Sequence, residues 1–382
     1  MLSNPIKKRL NAAAKKARFA AMEYYDTLRS LMGYDWAMFF MMIGGREAGK
    51  SYSVVEFFVA QYKLRGRPFY WMRLTDKSQE KLLQNNAQNL IDPDIRRRWK
   101  LDIVRSGDAV YEVTKRSAPD KKTGRTKILE KKFMCRVMAL STFYNDKGSG
   151  LFDNEFLNDP NMYYNIAFDE MNREKDEKRS FDIVYAFVNQ IENLIRSTKK
   201  RVRIICIGNT LEEASDMLCA FDFIPEKFGR FKIHKKRAVI ENIEPSEAYL
   251  NRRKGTVADI LMPTASTFTN KITTDTALVY KGRLTKPLYI IKFSKNPKEN
   301  YTVWENNVVT RWNGETFKKV KTASGEKEER QVIAMMPYLD ALYTPELKKN
   351  IFLQFDTRGF KFRDLITFKQ FQKDLELLRP RA

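Results

Sequence analysis

The stretch "IGGREAGKSY" sets Gly44, Gly49, Lys50 and Ser51 in the pattern G-x-x-x-x-G-K-[ST]. Such a loop wraps backbone N–H groups around a polyphosphate, its lysine reaches the terminal phosphates, and its hydroxyl serves a magnesium ion. The expected nucleotide contacts are Gly44, Gly45, Arg46, Glu47, Ala48, Gly49, Lys50 and Ser51. Further on, "YYNIAFDE" ends on adjacent carboxylates, Asp169 and Glu170. In phosphoryl transfer the first holds magnesium together with Ser51, and the second polarises the attacking water. A third stretch, "RVRIICIGNT", ends on Asn209, a polar tip able to sense the terminal phosphate. ATP and Mg2+ are therefore the expected cofactors. Each stretch has a plainer alternative, since glycine turns join many strands to helices and many strands end in acidic residues. Their succession in one chain is what favours the chemistry.

These groups need rigid elements to hold them. Residues 36–43 form an apolar run of strand length, as for a strand buried on both faces. From Lys50 onward, Val54, Val55, Phe57, Phe58 and Tyr62 fit a buried helix. The loop then lies at a helix N-terminus, where free N–H groups and the helix dipole attract anions. "RPFYWMRLTD" reads as a second strand. Two strand-like stretches between Val110 and Val137 flank the basic hairpin tip "TKRSAPDKKTGRTKILEKK". Its Lys115, Arg116, Lys121, Lys122 and Arg125 are candidate DNA-phosphate contacts; a solvated surface loop is the alternative. Residues 181–197 read as a helix with Val184, Phe187, Val188, Ile191, Leu194 and Ile195 on its apolar face, delivering Arg196 at its C-terminal end. A cation there either complements the helix dipole or serves the transferring phosphate. Alternating strands and helices imply an α/β sheet with ligands at the strands' C-terminal ends. Residues 243–276 read as a polar helical connector. After it the texture turns to strands, "PLYIIKFS", "YTVWENNVVTRWNG" with a turn at Asn313-Gly314, and "RQVIAMMPYL", closed by a basic helix over 364–378.

Bulk properties point to a polyanionic partner. Among 382 residues, 70 Lys and Arg outweigh 47 Asp and Glu, giving +23. Nucleic acid is the first candidate and an anionic membrane surface the second. No apolar run approaches the ~20 residues needed to span a bilayer, and the basic N-terminus lacks the apolar core of a secretory signal. Three scattered cysteines and a single histidine give neither a disulfide framework nor a zinc site, in keeping with a reducing cytoplasm. Lys7, Lys8, Arg9, Lys15, Lys16 and Arg18 make residues 1–33 a basic helical extension, either a solvated face or a nucleic-acid or partner contact.

"IGGREAGKSY", "NIAFDEMNREK" and "RVRIICIGNT", in this order, resemble the DNA-packaging ATPases (encapsidation proteins) of small podoviruses with terminal-protein-primed genomes. Arg46 inside the loop and "REK" after the acidic pair add to the likeness, which thins to "NRRKG" and "YTVWENNVV" beyond residue 210. The basic hairpin is longer than that family implies. The resemblance implies an additional-strand P-loop ATPase domain (34–242), a small helical connector (243–280) and a ribonuclease-H-like α+β domain (281–382) without nuclease activity. It further implies a homo-oligomeric ring, usually of five subunits, at a prohead portal, driving double-stranded DNA inward. A structural packaging RNA is a further partner of some members, and the setting is the host cytoplasm and, transiently, the prohead. By the same resemblance Arg196 and Lys147, the latter in "NDKGSG", match positions that supply cations across a subunit interface. The competing functions are a terminase with an active endonuclease, a helicase-like nucleic-acid motor, and a non-catalytic binding scaffold. Against the last, every loop and acidic-pair residue is present; against the first, "PLYIIKFS" offers Lys292 and Ser294 where a nuclease strand carries aspartate.

Overall fold

A computed structural model describes residues 21–120, 123–142, 163–172, 182–195, 201–209, 215–264, 278–284, 287–293, 300–312, 317–321, 327–331, 334–338 and 345–376. The chain forms two compact units, Met1–Leu211 with Pro225–Ile272, and Glu212–Ile224 with Thr273–Ala382. The described helices of the expected connector thus fall in the first unit.

In the first unit, α1 (Thr27–Leu31) leads to β1 (Phe39–Gly44), the phosphate loop and α2 (Lys50–Arg65). The next elements are β2 (Phe69–Arg73), α3 (Asp76–Ala87) and α4 (Pro93–Trp99). A reciprocal Thr75–Ser78 capping box starts α3, and Asp92 with Pro93 starts α4. Then come β3 (Ile103–Ser106), β4 (Ala109–Arg116), β5 (Ile128–Ala139), β6 (Tyr163–Asp169), α5 (Ile183–Ile195) and β7 (Arg201–Asn209). After α6 (Asp216–Ala220), which belongs to the second unit, β8 (Gly229–Ile233), β9 (Ala238–Asn242), α7 (Glu247–Arg253) and α8 (Val257–Leu261) complete the first.

The nine strands order as β3-β4-β5-β2-β6-β7-β1-β9-β8. From β5 to β9 neighbours run parallel; β3, β4 and β8 add antiparallel edges. Parallel strands need cover on both faces, and the residues supply it. Met41, Met42, Trp71, Phe168 and Ile205 are all buried, and Phe58 of α2 packs its ring against Phe69 and Trp71. Strand β7 separates β1 from β6, so the loop strand and the carboxylate strand are not direct neighbours. Their C-terminal ends nonetheless share one side, because Gly44 pairs with Asn209 and Asp169 with Ile207.

Several boundaries depart from the sequence expectation. Strand β1 starts at Phe39, and Trp36 instead stacks on His234 at 4.4 Å. The buried face of α5 is Ile183, Ala186, Phe187, Gln190, Ile191 and Leu194, while Val188 is exposed. Phe187 stacks on Phe168 of β6, which centres the buried face on residue 187 and turns Val188 outward.

In the second unit, β10 (Pro287–Lys292), β11 (Asn300–Trp304) and β12 (Val308–Arg311) form an antiparallel meander. Strands β13 (Phe317–Lys321) and β14 (Lys327–Gln331) pair as a separate ribbon, and β15 (Ala334–Tyr338) lies parallel beside β10. Helix α9 (Pro345–Asp356), β16 (Lys361–Phe362) and α10 (Leu365–Glu376) follow, with β16 parallel beside β12. The turn inside "YTVWENNVV" falls at Asn307, whose φ of 56° suits asparagine; Asn313 and Gly314 lie outside the described residues. Phe371 of α10 anchors the core among Phe293, Tyr301, Phe355, Phe360 and Phe362.

Candidate active site

A phosphate cradle requires peptide N–H groups facing inward, so the loop's carbonyls must face outward and find donors there. Five consecutive carbonyls find donors, the first two from Lys50, which itself lines the cavity, and the next three from other segments. Lys50 Nζ donates to Gly44 O at 2.9 Å and Gly45 O at 2.7 Å. The Tyr249 hydroxyl donates to Arg46 O at 2.8 Å, and the Arg252 guanidinium to Glu47 O at 2.6 Å. The Tyr25 N–H donates to Ala48 O at 2.8 Å. Glu47 adopts a left-handed φ of 62°, and its carboxylate pairs with Arg253 at 2.6 Å. Gly49, at φ 78°, starts α2 where a Cβ would meet the Tyr24 ring at 3.0 Å, so glycine suits both the backbone and the space.

The catalytic groups expected from the sequence meet at this loop. Ser51 Oγ donates to Asp169 Oδ1 at 2.9 Å, and Asn209 Oδ1 lies 3.5 Å from Lys50 Nζ. Glu47, Gly49, Lys50, Ser51, Asp169, Glu170, Gly208 and Asn209 line one cavity of about 230 Å³. Burial lowers the Lys50 pKa to about 8, with Asp169 opposing the shift and Arg46 reinforcing it. Burial likewise raises the Asp169 carboxyl, against the Arg73 cation and the Ser51 hydrogen bond. Asn172 Nδ2 donates to Asn209 O at 3.1 Å and so steadies the strand tip.

Sequence reasoning missed Arg73. At the end of β2 it pairs with Asp169 at 3.0 Å and also with Glu170, so it bridges both carboxylates. Glu170 leaves the strand at a left-handed φ of 55° with its side chain partly exposed, and Arg73 holds it there. The only available signal was one cation closing an otherwise apolar strand, "FYWMR". Tyr249, Arg252 and Arg253 were also missed, because "NRRKG" lies some two hundred residues from the loop that it grips.

Of the candidate DNA contacts, Lys115 pairs with Glu130 at 3.5 Å, and Arg116 grips Asp102 at 2.5 and 2.8 Å. Arg125 is exposed at the tip. Lys121, Lys122, Lys147 and Arg196 lie outside the described residues. Among the described residues no group of three or more His, Cys, Asp or Glu could hold a metal, and no helix is long and apolar enough to cross a membrane.

The fold is shared with phage packaging machines. It resembles a chain of the bacteriophage phi29 viral genome packaging motor assembly, at 18% identity and TM-score 0.56 over 94% of this chain and 100% of that one. It also resembles the Phi-28 gp11 DNA packaging motor, at 15% identity and TM-score 0.55 over 95% and 100%. The DNA packaging proteins of Bacillus phages phi29 and PZA are each 24% identical over 230 residues, 59% of this chain and 58% of theirs. The match thus spans little more than half the length of these relatives. The sequence profile of the podovirus DNA encapsidation proteins (Gp16) covers residues 86–315, from α3 to just past β12. The loop of residues 44–51 precedes that segment, while β6 and β7, which bring Asp169, Glu170 and Asn209 to it, lie inside. With most of its length under that profile, this chain belongs to the podovirus DNA encapsidation protein (Gp16) family.

Proposed function

We propose that this chain is an ATP-driven motor subunit that moves double-stranded viral DNA into a preformed prohead. The observation that carries the reading is the convergence of Lys50, Ser51, Asp169, Glu170 and Asn209 on one cavity at the strands' C-terminal ends. Ser51 Oγ and Asp169 Oδ1, 2.9 Å apart, are two hard oxygens of the kind magnesium takes. When bound there, magnesium would neutralise charge on the β- and γ-phosphates. Lys50 would leave the Gly44 and Gly45 carbonyls for the terminal phosphates, and Asn209 beside it would sense the γ-phosphate. Glu170, released by Arg73, would orient a water and accept its proton as the γ-phosphoryl group departs.

The strand inserted between β1 and β6 supports an additional-strand P-loop ATPase. A neighbouring subunit in a ring would supply Arg196 and Lys147 to the phosphoryl group. In the second unit, the order β12-β11-β10-β15, with β15 parallel to β10, supports a ribonuclease-H-like sheet. There Lys292 is buried near the Trp312 ring, where a two-metal nuclease needs a carboxylate, so we assign this unit no cleavage. The prohead portal and, in some relatives, a packaging RNA are the further partners of this reading, with assembly in the host cytoplasm.

Two variants test it. Lys50→Ala should abolish most nucleotide binding, and Glu170→Gln should bind ATP but turn it over at least about a hundredfold more slowly. Equal turnover by Glu170→Gln and wild type removes the role given to Glu170. Metal-dependent DNA nicking that persists in Lys50→Ala would replace the motor with a full terminase.

A further inference from the structure

Helix α7 touches the phosphate loop at three points in two successive residues. Tyr249 holds Arg46 O, Arg252 holds Glu47 O, and Arg253, itself buried, holds the Glu47 carboxylate. The Arg252 guanidinium also lies over two aromatic rings, 4.5 Å from the Tyr24 centroid and 5.7 Å from that of Tyr249. Tyr24 in turn abuts Gly49 at the other end of the loop. The grip therefore spans the loop from Arg46 to Gly49.

We propose that Tyr249 and Arg252 are positioning residues of the nucleotide site, fixing the loop's peptides with their N–H groups inward so that α7 sets the affinity for the triphosphate. This rests on the nucleotide-binding reading above. A peptide unit can rotate about its flanking Cα atoms with little displacement of the chain, and an inward carbonyl would face phosphate oxygens with like partial charge. The left-handed Glu47 is a conformation that an L-residue keeps only when its surroundings hold it. Lys50 holds the carbonyls of Gly44 and Gly45 only while it is not on a phosphate. When it turns to the ligand, the donors from Tyr249, Arg252 and Tyr25 keep the remaining carbonyls outward.

The test measures binding of a fluorescent ATP analogue with magnesium by the full-length chain, with the melting temperature of the nucleotide-free protein alongside. Tyr249→Phe keeps the ring and deletes the donor; it should weaken binding by about tenfold, the cost of one unsatisfied carbonyl. Arg252→Ala should do the same, and Arg252→Lys, which restores a donor, should recover most of the loss. KM should rise with Kd while kcat at saturation stays within about twofold. Wild-type affinity in both Tyr249→Phe and Arg252→Ala overturns the proposal, as does a loss of affinity that merely parallels a fall in melting temperature and kcat. Lys50→Ala is the control for the underlying reading. Failure of wild type to bind at all overturns that reading and the clamp with it, an outcome distinct from normal binding by the clamp variants.

Discussion

Lys50 carries an ammonium that burial has made easier to discharge, with a pKa lowered to about 8. Asp169 and Arg46 are the charged groups that act on it, in opposite directions. A bound phosphate favours the charged form, so binding should be strongest below pH 8. Above it the affinity should fall by up to about tenfold per pH unit. Titration of the fluorescent analogue between pH 7 and 9.5 checks this; Lys50→Arg, which stays charged, should flatten the profile. The fold itself responds with the opposite sign. The unfolded lysine keeps its proton up to about its ordinary 10.5, so the unfolded state binds more protons between pH 8 and 10.5. The contribution of Lys50 to the stability of the nucleotide-free chain should therefore rise across that window. In denaturant titrations at pH 7.5 and 9.5, the stability of wild type minus that of Lys50→Met should be greater at the higher pH.

Strand β7 does two jobs, separating β1 from β6 and carrying Asn209 to the loop. Its Gly208 faces the segment after the acidic pair, where a Cβ would lie 2.7 Å from Asn172 Nδ2 and 2.8 Å from Met171 Cε. Both are ends of flexible side chains, so Gly208→Ala should fold at a cost of about 1–3 kcal/mol. It should also displace Asn172 from Asn209 O and reduce turnover; wild-type kinetics would show that the strand tip tolerates the shift. In the second unit, Phe371 is buried among five other aromatic rings, so Phe371→Ala should cost about 3–5 kcal/mol. Because that core belongs to the second unit, nucleotide binding should survive, provided that the first unit stays folded; a parallel loss of binding would join the two units in one cooperative transition.

A chain of net charge +23 should bind duplex DNA through phosphates, with log affinity falling against log salt by roughly 0.9 per phosphate neutralised. The cations of the basic hairpin are not equivalent. Arg116 is held by Asp102 and Lys115 by Glu130, whereas Arg125 stands exposed at the tip. Arg125→Ala should therefore lower the salt slope more than Arg116→Ala, measured on one duplex at several salt concentrations. The reverse order would take the DNA contact away from the tip. In the ring proposed above, Arg196→Ala should bind ATP, hydrolyse it poorly, and regain partial activity when mixed with Lys50→Ala subunits. Mixed rings pair an intact loop with an intact arginine at some interfaces, and no recovery under subunit exchange would sink the in-trans role.

The amino-acid order alone was enough to locate the loop, the acidic pair and the polar strand tip. Their chemistry depends on residue type at fixed local spacing, and the flanking apolar runs are read over a few residues. It also marked the hairpin as basic and the parallel strands as continuous apolar runs. The tertiary structure decided what rests on distant segments meeting. Arg73 joins the acidic pair because β2 lies beside β6, and α7 grips the loop across some two hundred residues. Neither contact leaves a periodic trace in the sequence, since a lone arginine looks the same whether it faces water or a carboxylate. The apolar face of α5 was legible in part. Phe187, Ile191 and Leu194 are buried as their spacing implies, whereas Val188 is exposed and the polar Gln190 is buried, on the side where Phe187 stacks on the Phe168 ring of β6.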